Sequence, residues 1–243
     1  MAKSAARKAR SRSRPAVRQR DAEATRRRIL QAALSEFSKR GLPDARIDDI
    51  AAASGANKRM IYYYFGSKER LYLTALESVY AELARLESRI DVDHLDPVTA
   101  IETMINMKID YYIDNPHFVS FLSMENLYQA RHLRKSRRLR EFTTPMTQIL
   151  ARILARGQRI GVFRTGIDPV DLYISICGLC IIYFSNQHTL AVILGRRLET
   201  PAALKRRKKV IADMVTRYLQ GGVRPQARPR ARRETNGLVP LPL

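Results

Sequence analysis

The sequence predicts an all-α protein: an N-terminal three-helix head of the helix-turn-helix type, followed by a larger helical domain. Three observations carry that reading. Apolar residues recur at helical spacing in segment after segment, and no stretch alternates as a strand would. Helix-start pairs such as Asp96-Pro97 and Asp168-Pro169, and stops such as Gly41, Gly55 and Gly66, bound those segments. Two short helical patterns joined by Gly55-Ala56-Asn57 precede a long one, the layout of a helix-turn-helix.

Residues 1–20 hold eight Lys or Arg, no acid and almost nothing to bury, so a disordered basic arm is expected there. Order begins near Asp21. Ile29, Leu30, Ala33, Leu34 and Phe37 form the apolar stripe of the first helix, and Gly41 supplies a left-handed cap. Ile47, Ile50, Ala51 and Ser54 give a short second helix closed by Gly55; Lys58 to about Tyr64 gives a third. Ser67 can cap a long fourth helix carrying Leu73, Leu76, Tyr80 and Leu83. The head is thus assigned to residues 21–82 and the helical body to 83–220, with a basic tail over 221–243 that should lack order.

In the body, Ile101, Met104, Ile105, Ile109 and Tyr112 follow Pro97 at helical spacing, and Asn115-Pro116 stops that helix and starts the next. A basic stretch, Arg131 to Arg140, leads to a helix with Ile149, Leu150, Ile153 and Leu154 whose ragged end is marked by Gly157 and Gly161. Asp168-Pro169 opens an unusually apolar helix, and Pro201 opens the last one.

Charge narrows the function. The formal net charge is +21, of which the arm holds +8 and the tail +4, leaving +9 for residues 21–220. A body this cationic attracts phosphate through counterion release, so nucleic acid is the first partner to consider and an anionic membrane surface the second. No apolar run approaches the roughly 18–20 residues that span a bilayer, and the basic N-terminus has no apolar stretch of a secretory signal after it. The reading is cytoplasmic, with no membrane partner. Cys177 and Cys180 share one apolar stretch and read as small core hydrophobes; a zinc site would need two more ligands, and only His188 is near. Four scattered histidines, no Gly-rich phosphate loop and no Ser/His or Cys/His constellation point away from an enzyme, and no metal or cofactor is expected.

The segment Ile47 to Phe65 carries the most chemistry. If Ile47, Ile50, Ala51, Met60 and Ile61 pack inward, then Lys58, Arg59, Tyr62 and Tyr63 are left facing out. Arg and Lys reach guanine edges or phosphate; Tyr reaches phosphate oxygen or a thymine methyl. Free backbone amides at Asn57, where the third helix begins, suit a phosphate. Phe65 and Tyr64 read instead as core at the junction with the fourth helix. Which of Lys58 and Arg59 reads a base stays open.

These residues resemble the TetR-type transcriptional regulators. The matching stretches are R-R-R-I-L-Q-A-A-L-S-E-F-S-K-R-G over 26–41 and I-D-D-I-A-A-A-S-G-A-N-K-R-M-I-Y-Y-Y-F-G-S-K-E-R-L over 47–71. Asn57 stands where the family has Ser or Thr, and Arg46 where a hydroxyl residue caps the second helix. The resemblance implies phosphate contacts from Thr25 and Arg46, major-groove contacts from Lys58, Arg59, Tyr62 and Tyr63, and a flanking-phosphate anchor at Lys68. It also implies a homodimer held by the last two long helices and a small-molecule pocket in the body. Residues 170–184 are apolar on nearly all sides, which asks for burial of more than one face. Ile176, Cys180, Tyr183, Val210, Ile211, Met214, Val215 and Tyr218 are the expected interface. Met104, Met107, Tyr111, Phe121, Glu125, Tyr128, Phe142, Tyr173 and Phe184 are the expected pocket liners for a ligand the sequence does not name.

The combined expectation is a sequence-specific regulator that binds a double-stranded operator as a dimer and is released, as a repressor, when a small molecule enters the body. The alternative is an architectural nucleic-acid binder that works through its basic tails with no inducer. The two differ in salt and sequence dependence, because tails give steep salt slopes without base preference.

Overall fold

A computed structural model places the backbone of residues 2–90 and 92–221, and the side chains of 20–90, 92–138 and 146–221. Helix follows helix: α1 (Ala2–Asp44), α2 (Ile47–Ser54), α3 (Lys58–Phe65), α4 (Lys68–Glu87), α5 (Pro97–Asp114) and α6 (Pro116–Leu127). After a single 3-10 turn, Leu133–Lys135, come α7 (Leu139–Arg159), α8 (Pro169–Ser185), α9 (Gln187–Leu194) and α10 (Pro201–Gln220). The described residues contain no strand.

The local signals act as their chemistry requires. Asp96 Oδ1 accepts from the amides of Val98 and Thr99, and Asp168 Oδ1 from those of Val170 and Asp171. Proline follows each at the first helical position, where its missing N–H costs nothing. Asn57 caps α3 by accepting from Met60 N at 2.9 Å, and Ser67 caps α4 by accepting from Arg70 N. Arg46, at the head of α2, makes no side-chain cap.

In the head, Ile29, Ala33 and Phe37 of α1 pack with Ile50 of α2 and with Ile61 and Phe65 of α3. Full burial of each large member contributes about 1.5–3 kcal/mol. Arg28 Nε donates to Ser54 O at 3.3 Å and Arg26 lies over the Phe65 ring, tying α1 to both short helices. The same core continues without a gap through Leu71, Tyr72 and Leu76 of α4 into the body. There Ile101, Ile105 and Ile109 of α5 meet Leu150 and Ile153 of α7, Leu172 of α8 and Leu219 of α10.

Several expectations are corrected. The first helix starts at Ala2 and not near Asp21, since Ala, Arg, Lys and Gln, strong helix formers, outnumber Pro15, the three serines and Val17 there. Thr25 therefore lies inside α1, where its hydroxyl accepts from Arg28. Gly41 has φ 70 and ψ 178, an extended mirror conformation and not a left-handed cap; it breaks α1 with a kink. The boundary placed at 82/83 falls inside α4, which runs unbroken from head to body. Gly157 does not end α7. It lets the buried Phe163 ring lie on the helix backbone, where a Cβ would come within 2.0 Å of that ring. The short α9 had no counterpart in the reading of the sequence. The tail beyond residue 221 lies outside the described residues.

The expected interface divides in two. Ile176, Cys180, Ile211 and Val215 are buried within the protomer and are not available to a partner. Val210, Met214 and Tyr218 are exposed, and Tyr183 is half-buried with its hydroxyl on Leu198 O. The reason is helical periodicity: α8 and α10 each have two apolar faces, and one of them already covers the protomer's own core. The other face of α8 shows Val170, Ile174, Gly178 and Ile182 to solvent at steps of four. No single described helix is long and apolar enough to cross a membrane.

Candidate nucleic-acid interface

α2 and α3 are held against α1 by their inner faces, so the outer face of α3 is a rigid platform. Ile61 and Phe65 face the core, while Tyr62 is 47% exposed and Tyr63 82% exposed. Lys58 and Arg59 are exposed beside them, one turn closer to the N-terminus. On a short cationic helix, Tyr62 is left about half in water and Tyr63 almost wholly so. Their chemistry suits stacking on sugar, touching thymine methyls and donating to phosphate.

Lys58 is not idle in the free protein. Its ammonium lies 2.6 Å from Asp48 of α2, with both side chains open to solvent. The hydrogen bond to Asp48, and then its charge, raise the lysine above its ordinary range. DNA entry must exchange that acid for a base edge or a phosphate. Asp48→Asn is therefore expected to tighten binding to both specific and random duplex by a few-fold, because it removes an anion from the groove face. A titration showing equal or weaker affinity would contradict this.

The remaining expected contacts frame α3. Arg46 is exposed ahead of α2, its backbone N–H donating to Glu36. Lys68 Nζ donates to Pro43 O at 3.0 Å, which stitches the first turn of α4 to the turn after α1. A neutral carbonyl leaves the lysine charge uncompensated. Asn57 turns the amide end of α3 outward next to these cations. Thr25, half-buried on α1, completes the set.

The body pocket is less faithful to expectation. Met104, Tyr111 and Phe121 are packed in the core, and Glu125 is buried with Tyr72 and His132 as partners. Burial pushes the Tyr72 hydroxyl well above its ordinary range, with the Glu125 charge adding to it. Tyr128 and Tyr173 are half-buried, and the Phe142 side chain lies outside the described residues. Met107 borders a recess of about 400 Å³ with Leu86, Ile90 and Leu95. Among the expected liners whose side chains are described, Phe184 alone faces a cavity of about 530 Å³ between α5, α6, α8 and α9. Tyr112, Ile113, Val119, Met124 and Leu204 supply its apolar walls, and Ser38, Ser120, Ser123, Gln187, His188 and Glu199 its polar groups. Ser38 belongs to α1, so this cavity reaches the head directly. Sequence reasoning missed Ser120 and Ser123. The available signal was two hydroxyls at i, i+3 among Phe118, Val119, Phe121 and Leu122.

Comparison with known proteins agrees with this geometry. The family model described as "Bacterial regulatory proteins, tetR family" matches residues 29–75, and "Tetracyclin repressor-like, C-terminal domain" matches 97–215. The chain is 39% identical over 204 residues to the HTH-type transcriptional repressor NicS of Pseudomonas putida, covering 84% of this chain and 96% of that one. The transcriptional regulator SCO4942 of Streptomyces coelicolor superposes with a TM-score of 0.60 at 24% identity, over 80% of this chain and 98% of that one. The ketosteroid regulator KstR2 of Mycobacterium tuberculosis gives 0.59 at 18% identity, over 80% and 95%. Those two likenesses concern the fold.

Proposed function

The chain belongs to the TetR family of bacterial regulatory proteins, and from that premise we propose that it represses transcription as a twofold dimer whose two α3 helices enter successive major grooves. It is a DNA-binding transcriptional regulator and not an enzyme. The observation that carries the groove assignment is the outer face of α3, with Tyr62 and Tyr63 in water beside Lys58 and Arg59. One head reads only a few base pairs, so two heads about 34 Å apart are needed for a unique site.

Release follows from the cavity. A small molecule between α5, α6 and α8 touches α1 through Ser38. Met124 Sδ, on the same wall, lies 3.5 Å from where a Cβ on Gly41 would stand, at the kink that ends the first helix proper. A ligand preferring a shifted α6 would re-aim the head and favour a spacing that no longer fits the operator. α4, anchored at Lys68 and continuous into the body, is the second lever. The mixed wall, with hydroxyls, an amide and an imidazole facing aromatic and aliphatic groups, suits a small ring compound carrying a few polar substituents.

Tyr62→Ala and Lys68→Ala are each expected to weaken operator binding at least ten-fold while leaving the fold intact, since Tyr62 is exposed and the half-buried Lys68 gives up only one hydrogen bond, to Pro43 O. An electrophoretic shift on a duplex selected from random sequence reads the first effect, and circular dichroism melting the second. Unchanged affinity in both variants would remove the groove assignment.

A further inference from the structure

The basic stretch after α6 plays no part in groove reading or in ligand release. Residues 131–140 contain six Lys or Arg and no acid except at its border, Glu141. Arg131, Arg134, Lys135 and Arg137 stand exposed, and none of these four makes an ion pair within 4 Å among the described residues. Most such runs are loosely solvated. This one is fixed to the part of α4 nearest the groove-reading helix.

Three anchors hold it. Gln129 and Ala130 take φ of 55° and 57°, unusual for residues with a Cβ, and turn the chain sharply back after α6. The buried Glu125 carboxylate then clamps His132 and Leu133. Its Oε2 accepts from the backbone amides of His132 and Leu133 at 3.2 and 3.0 Å. Its Oε1 lies 2.7 Å from His132 Nδ1 and accepts from the Tyr72 hydroxyl at 3.0 Å. Finally the Ser136 hydroxyl donates to Glu77. Tyr72 and Glu77 both belong to α4, and Tyr72 lies one turn beyond Lys68. From Lys68 to Glu77 is nine residues, about 13 Å of helix. The segment therefore runs alongside the second and third turns of α4, beginning one turn beyond the flanking-phosphate anchor Lys68.

Charge in the neighbourhood agrees. The Glu69 carboxyl is held below its ordinary range, first by its own backbone amide and the Ser67 hydroxyl, then by the charges of Lys68 and Lys135. Lys135 is thus close to the first turn of α4. Of the acids facing the segment, Glu125 pairs with His132, Glu77 accepts from Ser136 and Glu69 lies within reach of the Lys135 charge, but none forms an ion pair within 4 Å with these four cations among the described residues.

We propose that the segment 131–138 is a second phosphate-binding surface, carried by the body, that grips duplex DNA just outside each half-site. The proposal rests on the reading that α3 and Lys68 face the duplex. An acidic protein could also bind such a row, but DNA already lies against its neighbour Lys68 in that reading. The contacts would be to phosphate alone, adding affinity and salt dependence without base preference.

The test compares a minimal selected operator with the same operator extended on both sides, across a salt series. If two of the four cations in each protomer meet phosphate, the extended duplex should show a slope of log affinity against log salt steeper by about 3.6, a difference of about 100-fold between 50 and 200 mM. The variant Arg131→Gln, Arg134→Gln, Lys135→Gln, Arg137→Gln should lose that excess and match wild type on the minimal duplex. Replacing the three arginines by lysine should retain it, which a merely structural role would not predict. An unchanged excess in the glutamine variant would overturn the proposal, as would equal losses on both duplexes. Wild type that preferred neither duplex over random DNA would overturn the groove reading itself, and this proposal with it.

Discussion

Ile174→Asp combined with Met214→Asp is expected to give a folded monomer that no longer binds a two-half-site operator. Ile174 is 61% exposed and Met214 50%, although both sit on strongly apolar helices. With Val170 and Ile182 on α8 and Val210 and Tyr218 on α10, they make an apolar surface that the protomer leaves in water. Gly178 lies in the middle of the α8 row with open space beyond it, which lets another helix approach closely. A partner's matching face would bury well over 1,000 Å² there. By twofold symmetry the double variant puts four carboxylates into that interface. Each carboxylate left without a partner costs several kcal/mol, so dimer affinity should fall by more than a thousand-fold. Light scattering reads the mass, and fluorescence anisotropy on labelled operator reads the binding. A stable dimer in the variant would show that a different surface joins the protomers. The contrast with Ile211→Asp is instructive: that residue is fully buried in the protomer, so an aspartate there should unfold the chain and not merely separate it.

What the sequence made legible was whatever local chemistry decides. Asp96-Pro97, Asp168-Pro169, Asn57 and Ser67 are caps that act within three residues of themselves, and each is a cap in the structure. The inner and outer faces of α3 followed from an eight-residue helix with one apolar stripe. What stayed hidden depends on distant partners. α8 is apolar all round, so periodicity could not say that Ile176 and Cys180 face inward while Ile174 and Ile182 face out. A pocket is a gap left between helices, and Met or aromatic residues at helical spacing look alike whether they fill the core or border a space. Tyr111 and Phe121 proved to be filling, Phe184 bordering. The Lys205–Lys209 run opposes the helix dipole at the start of α10, yet Lys208 finds Asp110 on α5 and Arg207 donates to Leu179 O on α8. Neither partner is visible from the run itself.

A large stability effect is also expected at Lys108. Its Nζ lies 2.6 Å from Glu87 Oε1, with both side chains almost wholly buried. The ammonium also sits 5.1 Å from the centre of the Tyr173 ring, so the pair joins the end of α4 to α5 and α8. Burial opposes the charge on Lys108, but the neighbouring Cys177 sulfur and then the Glu87 carboxylate outweigh it, and the lysine is held well above its ordinary range. Cys177 nearby is pushed up by burial and so is a neutral thiol at neutral pH, leaving Glu87 as the counter-charge. Lys108→Met strands a carboxylate in the core and should cost about 3–5 kcal/mol, a drop in Tm on the order of 10 °C for a chain of this size. Glu87→Leu should cost a similar amount by stranding the ammonium. Glu87→Leu with Lys108→Met should recover most of the loss, because two apolar side chains of similar volume need no counter-charge. The pH dependence has a definite sign. A lysine raised on folding gives its full stabilisation below the unfolded value of 10.5 and loses it only as pH climbs through the higher folded value. Wild type should therefore keep this contribution across the neutral and mildly alkaline range. Thermal melts of the three variants decide the matter: if the double variant is no more stable than either single one, the pair is not an isolated charge couple and the neighbouring Tyr173 and Cys177 must be part of what holds α4 to the body.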